Sequence, residues 1–268
     1  MALLEVKNLN TYFFTKDGVR KAAWDVSFNI GIGETFGLVG ESGSGKTVSA
    51  LSILNLIDEP GRIVSGDIVF NGRSLLSLKD GIRAVRGKEI SMVFQEPLTA
   101  LNPVITIGKQ ITEQILAHTK VSKKEAKERT FKLMEEVQLP SPERVFYDYP
   151  HRLSGGMRQR AMIAMALCLN PKLLIADEPT TALDVTIQAE ILELLRRIKE
   201  KHGMSILFIT HDFGIIARLA DRVAVMRKGR IVEQGGVEDI FYRPKENYTK
   251  ELLEAIPEIP EDLRMADD

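Results

Sequence analysis

One cysteine in 268 residues leaves no material for a disulfide framework or a cysteine-clustered metal site. That residue, Cys168, lies in the apolar run Ala161–Leu169 and reads as a buried structural thiol. Neither sign of charge prevails: 36 Lys and Arg stand against 37 Asp and Glu, a net charge of -1. The chain so has no global electrostatic reason to bind nucleic acid or an anionic membrane surface. Its most basic stretch, KVSKKEAKER at 120–129, is interrupted by glutamates and reads as a solvated helix face. No run reaches the roughly 18 continuous apolar residues that a membrane span needs. The opening residues, MALLEVKNLN, lack the architecture of a signal peptide. A cytosolic chain is expected, with any membrane attachment made through a partner. Internal repeats and low-complexity segments are missing too.

What is there is ordinary globular material, 44% hydrophobic and 27% charged, enough for one large domain or two small lobes. Strands are expected at Leu3–Leu9 and Ala22–Ile30, then at Phe36–Val39, which runs straight into a glycine-rich loop. Val48, Leu51, Ile53, Leu54 and Ile57 give the next segment a helical apolar face that Pro60 ends. Gly66–Gly72 reads as a strand closed by an Asn-Gly turn, and Ile90–Phe94 as a buried strand. From about Pro97 to Leu153 helical periodicity takes over, with Pro140, Pro142 and Pro150 as punctuation. This is a helical lobe inserted into an α/β core. The core resumes with helix Gly155–Leu169, strand Leu173–Ala176, helix Ile187–Lys199, strand Ser205–Thr210, helix Phe213–Leu219 and strand Arg222–Met226. Lys228-Gly229 then turns the chain into Ile231–Glu233. Alternating strands and helices predict a mostly parallel sheet with right-handed crossovers.

The chemistry starts at Gly40-Glu41-Ser42-Gly43-Ser44-Gly45-Lys46-Thr47, which fits G-x-x-x-x-G-K-[ST]. Glycines let successive backbone N–H groups curl around an anion, and the helix that follows adds its positive end. Lys46 is placed to neutralise β- and γ-phosphates, and Thr47 to offer its hydroxyl to Mg²⁺. The loop alone says only that a nucleotide binds; kinases and GTPases carry it too. Downstream, the apolar strand Leu173–Ala176 ends in Asp177-Glu178. Ligands sit at the C-terminal ends of parallel strands, so Asp177 is expected to face the Mg²⁺ coordination shell. Glu178, one residue on, is placed to take a proton from an attacking water. An acidic pair is weak evidence by itself; its place after a buried strand, downstream of the loop, gives it weight.

Leu153-Ser154-Gly155-Gly156-Met157, followed by Arg158-Gln159-Arg160, resembles the signature motif of ABC (ATP-binding cassette) ATPases. Physically it is a second helix N-terminus with small residues and a hydroxyl, again suited to an anion. The family's commonest fifth residue is Gln; Met157 is similar to what the peptide-importer branch often carries. The resemblance covers about residues 3–257. Its most branch-specific stretches are Gly40–Thr47 with its Glu-Ser start, FQEPLTALNP at 94–103 and YTKELLEAIP at 248–257, which resemble the oligopeptide, dipeptide and nickel importers.

That resemblance implies a P-loop NTPase core with an N-terminal antiparallel β subdomain and an inserted helical subdomain. Its implied limits are a cassette domain at 1–257, with a core lobe at about 1–96 and 159–240, a helical lobe at about 97–158, and a short extension at 241–268. It makes Gln95 the residue that reaches Mg²⁺ and the attacking water, Asp184 in Ala182-Leu183-Asp184 a contact across a dimer, and His211 the γ-phosphate switch. Phe13 aligns best with the adenine-stacking aromatic, with Tyr12 the nearest alternative and core packing a rival for both. His118, His151 and His202 read as structural or surface residues. The signature would act in trans, so that Ser154, Gly155 and Gly156 meet ATP held by a second cassette, usually a paralogue. Two transmembrane permease subunits and, indirectly, an external substrate-binding protein complete the implied assembly, at the cytoplasmic face of the inner membrane. Longer members continue into a cysteine-bearing tail; with Asp268 as the last residue, no iron–sulfur cluster is expected. A soluble ABC ATPase of DNA repair or translation is the alternative. The first would need a long coiled-coil insertion between Gln95 and Leu153 and the second two cassettes, and neither is present in the sequence.

Overall fold

A computed structural model describes residues 2–181 and 183–255, less the side chains of Lys79 and Asp80. Ala182 and the extension from Ile256 onward lie outside the described residues. In chain order the elements begin with β1 (Ala2–Thr15), β2 (Gly18–Gly31), β3 (Thr35–Val39), α1 (Lys46–Ile53), β4 (Gly61–Phe70) and β5 (Arg73–Ser74). A 3₁₀ turn at Leu76–Gly81 leads to α2 (Ile82–Val85), β6 (Ile90–Val93), α3 (Pro97–Ala100), α4 (Ile107–His118), α5 (Lys123–Glu136) and α6 (Pro142–Val145). After a 3₁₀ turn at Pro150–Arg152 come α7 (Gly155–Leu167), β7 (Leu173–Asp177), α8 (Val185–His202), β8 (Ser205–Thr210) and α9 (Phe213–Leu219). The last are β9 (Arg222–Arg227), β10 (Arg230–Gly236), α10 (Val237–Tyr242) and α11 (Asn247–Glu254).

The chain divides into two compact units, the described parts of Met1–Arg83 with Ser205–Asp268, and Ala84–Met204. The first holds two sheets. One is antiparallel, in the order β2-β1-β4-β5. In the other, β3 pairs in parallel with both β8 and β9, and β10 closes the edge antiparallel to β9. Every residue of β3 (TFGLV) and of β8 (SILFIT) is buried. Such unbroken runs mark parallel strands covered on both faces. In the second unit β6 pairs in parallel with β7, whose five residues are likewise buried, and helices α3 to α6 follow β6.

Several boundaries move for identifiable reasons. β1 runs on to Thr15 rather than stopping at Leu9, because Asn8 and Asp25 take positive φ and the β1–β2 pairing shifts register there. Such a bulge interrupts the alternation that marks a strand in sequence. α1 stops at Ile53, short of Ile57. Asn55 turns left-handed, Leu56 N–H donates to Leu51 O at 2.8 Å and Asn55 N–H to Ser52 O at 3.0 Å, a Schellman stop. α8 starts two residues before Ile187, since Asp184 Oδ1 caps it by accepting from Ile187 N–H at 2.9 Å. Its first helical residue, Val185, is 82% exposed and so adds nothing to the apolar face. The Asn71-Gly72 turn has φ of 48 and 76°, as a tight hairpin requires.

Candidate nucleotide and hydrolysis site

In the first unit the loop Gly40–Thr47 leaves the end of β3 and enters α1. Its glycines are obligatory at two points. Gly40 (φ 153°) and Gly45 (φ 108°) would, with a Cβ, overlap the carbonyl oxygens of Met226 and Ala22 respectively. The loop is thus pressed between the end of β9 and β2, and Gly229 N–H fixes it further by donating to Ser44 O at 2.8 Å. Lys46 is buried at 4% exposure. Its ammonium donates to Gly40 O at 2.7 Å and Glu41 O at 3.0 Å, closing the loop into a ring. Ser44 Oγ, in the same loop, is buried with no protein hydrogen-bond partner. An orphaned buried hydroxyl and a buried ammonium in one loop, on backbone that only glycine tolerates, fit a phosphate ligand, and the hydroxyl is costly otherwise.

His211 leaves the end of β8. Because Val39 stands opposite Thr210 in the parallel pair, His211 and the loop emerge from the same end of neighbouring strands. His211 is exposed, while the next residue, Asp212, caps α9 by accepting from Gly214 N–H at 2.7 Å. Phe13 is half-buried, its ring against Gly61: a Cβ there would come within 2.7 Å of Phe13 Cε1. Tyr12 instead donates its hydroxyl to Asn10 at 3.1 Å, with the Lys21 ammonium 5.6 Å from its ring. Arg20, opposite Phe13 in register, brings its guanidinium within 3.9 Å of where a Gly43 Cβ would stand. Sequence reasoning passed over Arg20, since an exposed strand arginine carries no pattern.

In the second unit Asp177 ends β7 with 2% exposure. Glu178 follows with φ 45°, a left-handed backbone rare for a non-glycine residue and characteristic of strained functional sites. Its Oε2 accepts from Gln95 Nε2 at 3.2 Å and from Thr181 Oγ1 at 2.9 Å. Two side chains separated by 83 residues in sequence, Gln95 and Glu178, so stand in contact. Thr181 is a partner that the sequence reading missed; its signal was a hydroxyl three residues past the acidic pair. Ser154 is the N-cap of α7, its Oγ accepting from Met157 N–H at 3.3 Å, and Ser154 and Gly155 are exposed. A Cβ on Gly156 would press within 2.8 Å of Ile187, so the small residue there is a packing requirement on α8. Arg158 Nε donates to Pro150 O at 2.8 Å, which fixes the turn leading into Ser154. Asp184 is exposed and spends one oxygen on its helix cap.

Cys168 is half-buried rather than buried, at the helix end where α7 opens to its loop. Burial still pushes its thiol up to about 12, which keeps it protonated and inert. His118 and His151 are exposed, and His202 pairs with Glu136 at 2.6 Å, a structural use. Among the described residues no three His, Cys, Asp or Glu cluster as a metal site. Thr47 in the first unit carries a hydroxyl, and Gln95 and Asp177 in the second an amide and a carboxylate oxygen, donor types that Mg²⁺ takes.

Residues 24–181 match the family described as "ABC transporter". Among curated proteins, the oligopeptide transport ATP-binding protein OppD of Bacillus subtilis is 54% identical over 257 residues, 95% of this chain and 72% of that one. The dipeptide transport ATP-binding protein DppD of Haemophilus influenzae is 50% identical over 262 residues, 97% of this chain and 79% of that one. Among solved structures, the ATP-binding cassette MJ0796, a dimer in a post-hydrolysis state bound to ADP and Pi, superposes with a TM-score of 0.79 at 27% identity. That match covers 87% of this chain and 98% of that one.

Proposed function

The chain belongs to the ABC transporter family, and from that premise we propose that it is the ATP-binding and ATP-hydrolysing subunit of a peptide importer. The contact between Gln95 and Glu178 carries the hydrolytic part, because it holds a carboxylate and an amide together at a strained strand end. Peptides are favoured over metal chelates as cargo by the relatives at 50 and 54% identity, which are dipeptide and oligopeptide transport proteins.

In the proposed mechanism Gly40–Thr47 wraps the phosphates of ATP, with Lys46 turning its ammonium from the Gly40 and Glu41 carbonyls toward the β/γ oxygens. Phe13 stacks on adenine. Bound Mg²⁺, held by Thr47, Gln95 and Asp177, would supply charge neutralisation to the phosphates. Glu178 accepts the proton of the attacking water, Gln95 and Thr181 fix the orientation of its carboxylate, and His211 contacts the γ-phosphate. Ser154, Gly155 and Gly156 meet the ATP of a second cassette, and Asp184 contacts that cassette. ATP thereby biases a two-state dimer toward closure, and loss of the γ-phosphate releases it.

Among the described residues no helix is long and apolar enough to cross a membrane. In the proposed assembly the chain attaches through two permease subunits at the cytoplasmic face of the inner membrane. The paired cassette is a paralogue, and an external binding protein delivers the cargo. Isolation of the chain from detergent-solubilised membranes is expected to bring integral membrane subunits with it, and short peptides should stimulate ATP hydrolysis by that complex. Recovery with ribosomes or DNA and without membrane subunits would overturn the reading.

A further inference from the structure

The phosphate loop touches an element that no part of the proposed mechanism uses. Tyr248, in the first full turn of α11, is 5% exposed. Its hydroxyl oxygen accepts from Glu41 N–H at 3.5 Å, across 207 residues of sequence. Its ring is covered by the guanidinium of Arg227, 4.3 Å from the ring centre. Arg227 follows Met226, whose carbonyl is the surface against which Gly40 must lack a side chain. The start of α11 is itself anchored on β10: Glu233 accepts from the backbone amides of Lys245 at 2.8 Å and Glu246 at 3.2 Å. The residue at the loop's second position is therefore gripped on both sides, its N–H by Tyr248 and its carbonyl by Lys46 Nζ at 3.0 Å.

From this arrangement we infer that Tyr248 is a positioning residue for the phosphate loop, and that α11 senses nucleotide through it. Holding the N–H of Glu41 orients the Gly40–Glu41 peptide unit, whose carbonyl, Gly40 O, accepts from the Lys46 ammonium at 2.7 Å. When that ammonium moves to phosphate, the peptide loses one of its two restraints and the contact with Tyr248 carries the other. Coupling of this kind is reciprocal: whatever α11 contributes to nucleotide affinity, nucleotide returns as ordering of α11. The inference rests on reading Gly40–Thr47 as the nucleotide site, and the test separates the two.

The experiment compares the purified chain with its Tyr248→Phe variant, which keeps the ring and the Arg227 stack and deletes only the hydroxyl. A fluorescent ATP analogue gives the dissociation constant, steady-state hydrolysis gives kcat and KM, and hydrogen exchange follows the amides of α11 with and without nucleotide. Deleting one neutral hydrogen bond should weaken nucleotide binding on the order of threefold to tenfold. KM should rise with it, while kcat at saturating ATP stays within about twofold. Nucleotide should slow exchange in α11 of the parent chain and fail to do so in the variant. Unchanged affinity in Tyr248→Phe, or undiminished protection of α11 by nucleotide, overturns the positioning role while leaving the nucleotide site intact. Failure of the parent chain to bind the analogue removes both. A Glu251→Ala variant, on an exposed position of the same helix, should behave as the parent; if it matches Tyr248→Phe, the effect belongs to the helix and not to the hydroxyl, and the inference falls.

Discussion

Glu178→Gln is expected to lower ATP turnover by at least about 10²-fold while ATP binding stays near the parent value. The replacement is almost isosteric, and its amide oxygen can still accept from Gln95 and Thr181, as Glu178 Oε2 does at 3.2 and 2.9 Å. What the amide cannot do is take a proton from water. A drop of that size corresponds to about 2.7 kcal/mol or more of transition-state stabilisation. Because hydrolysis is the step that would open the cassette dimer, the variant should also accumulate as an ATP-loaded dimer, visible by size exclusion with nucleotide retained. Phosphate release rates for parent and variant under saturating ATP give the comparison. Near-normal turnover would remove Glu178 from its assigned role.

Lys46→Ala should act earlier, on binding itself. The ammonium is buried and donates to two loop carbonyls, so the proposed switch to phosphate moves a charge that is already desolvated and already aimed. A hydrogen bond to a charged group contributes roughly 1.5–3 kcal/mol, which translates to a loss of about 10- to 150-fold in affinity. Titration with a fluorescent ATP analogue, with and without Mg²⁺, reads it. Unchanged affinity together with unchanged turnover would mean that Gly40–Thr47 does not hold the phosphates.

Both variants rest on residues that local pattern alone could nominate. A glycine-rich loop between an apolar strand and a helix carries its own context, and the acidic pair stands at the end of a run buried throughout. Strand Ser205–Thr210 and helix Phe213–Leu219 were legible for the same reason, with bounds that apolar runs announce. Elements whose limits depend on a cap were less legible. Nothing in the apolar spacing of Val48–Ile57 reveals that Asn55 turns left-handed, and Asp184 announces a helix start only once its carboxylate is seen on Ile187. α10 escaped because its six residues hold too few turns for a period to show. Long-range contacts were beyond reach altogether. Tyr248 meeting Glu41 and Arg20 meeting the loop depend on tertiary packing, and no spacing rule links residues 207 apart.

In the proposed arrangement two cassettes share their sites head to tail, with Ser154 and Gly155 of one facing the ATP of the other. It is tested most directly in a dimer in which only one cassette carries Ser154→Arg. A bulky cation would then stand on the exposed cap of α7, at a cost of about 1 kcal/mol for the lost hydrogen bond to Met157 N–H. Vanadate trapping of labelled nucleotide, assigned cassette by cassette, is the measurement. Trapping should be lost at the loop of the unmodified cassette, while the modified chain keeps its own ATP affinity. Loss of trapping only at the modified chain's own loop would mean that the motif acts in cis, and would contradict the shared-site arrangement.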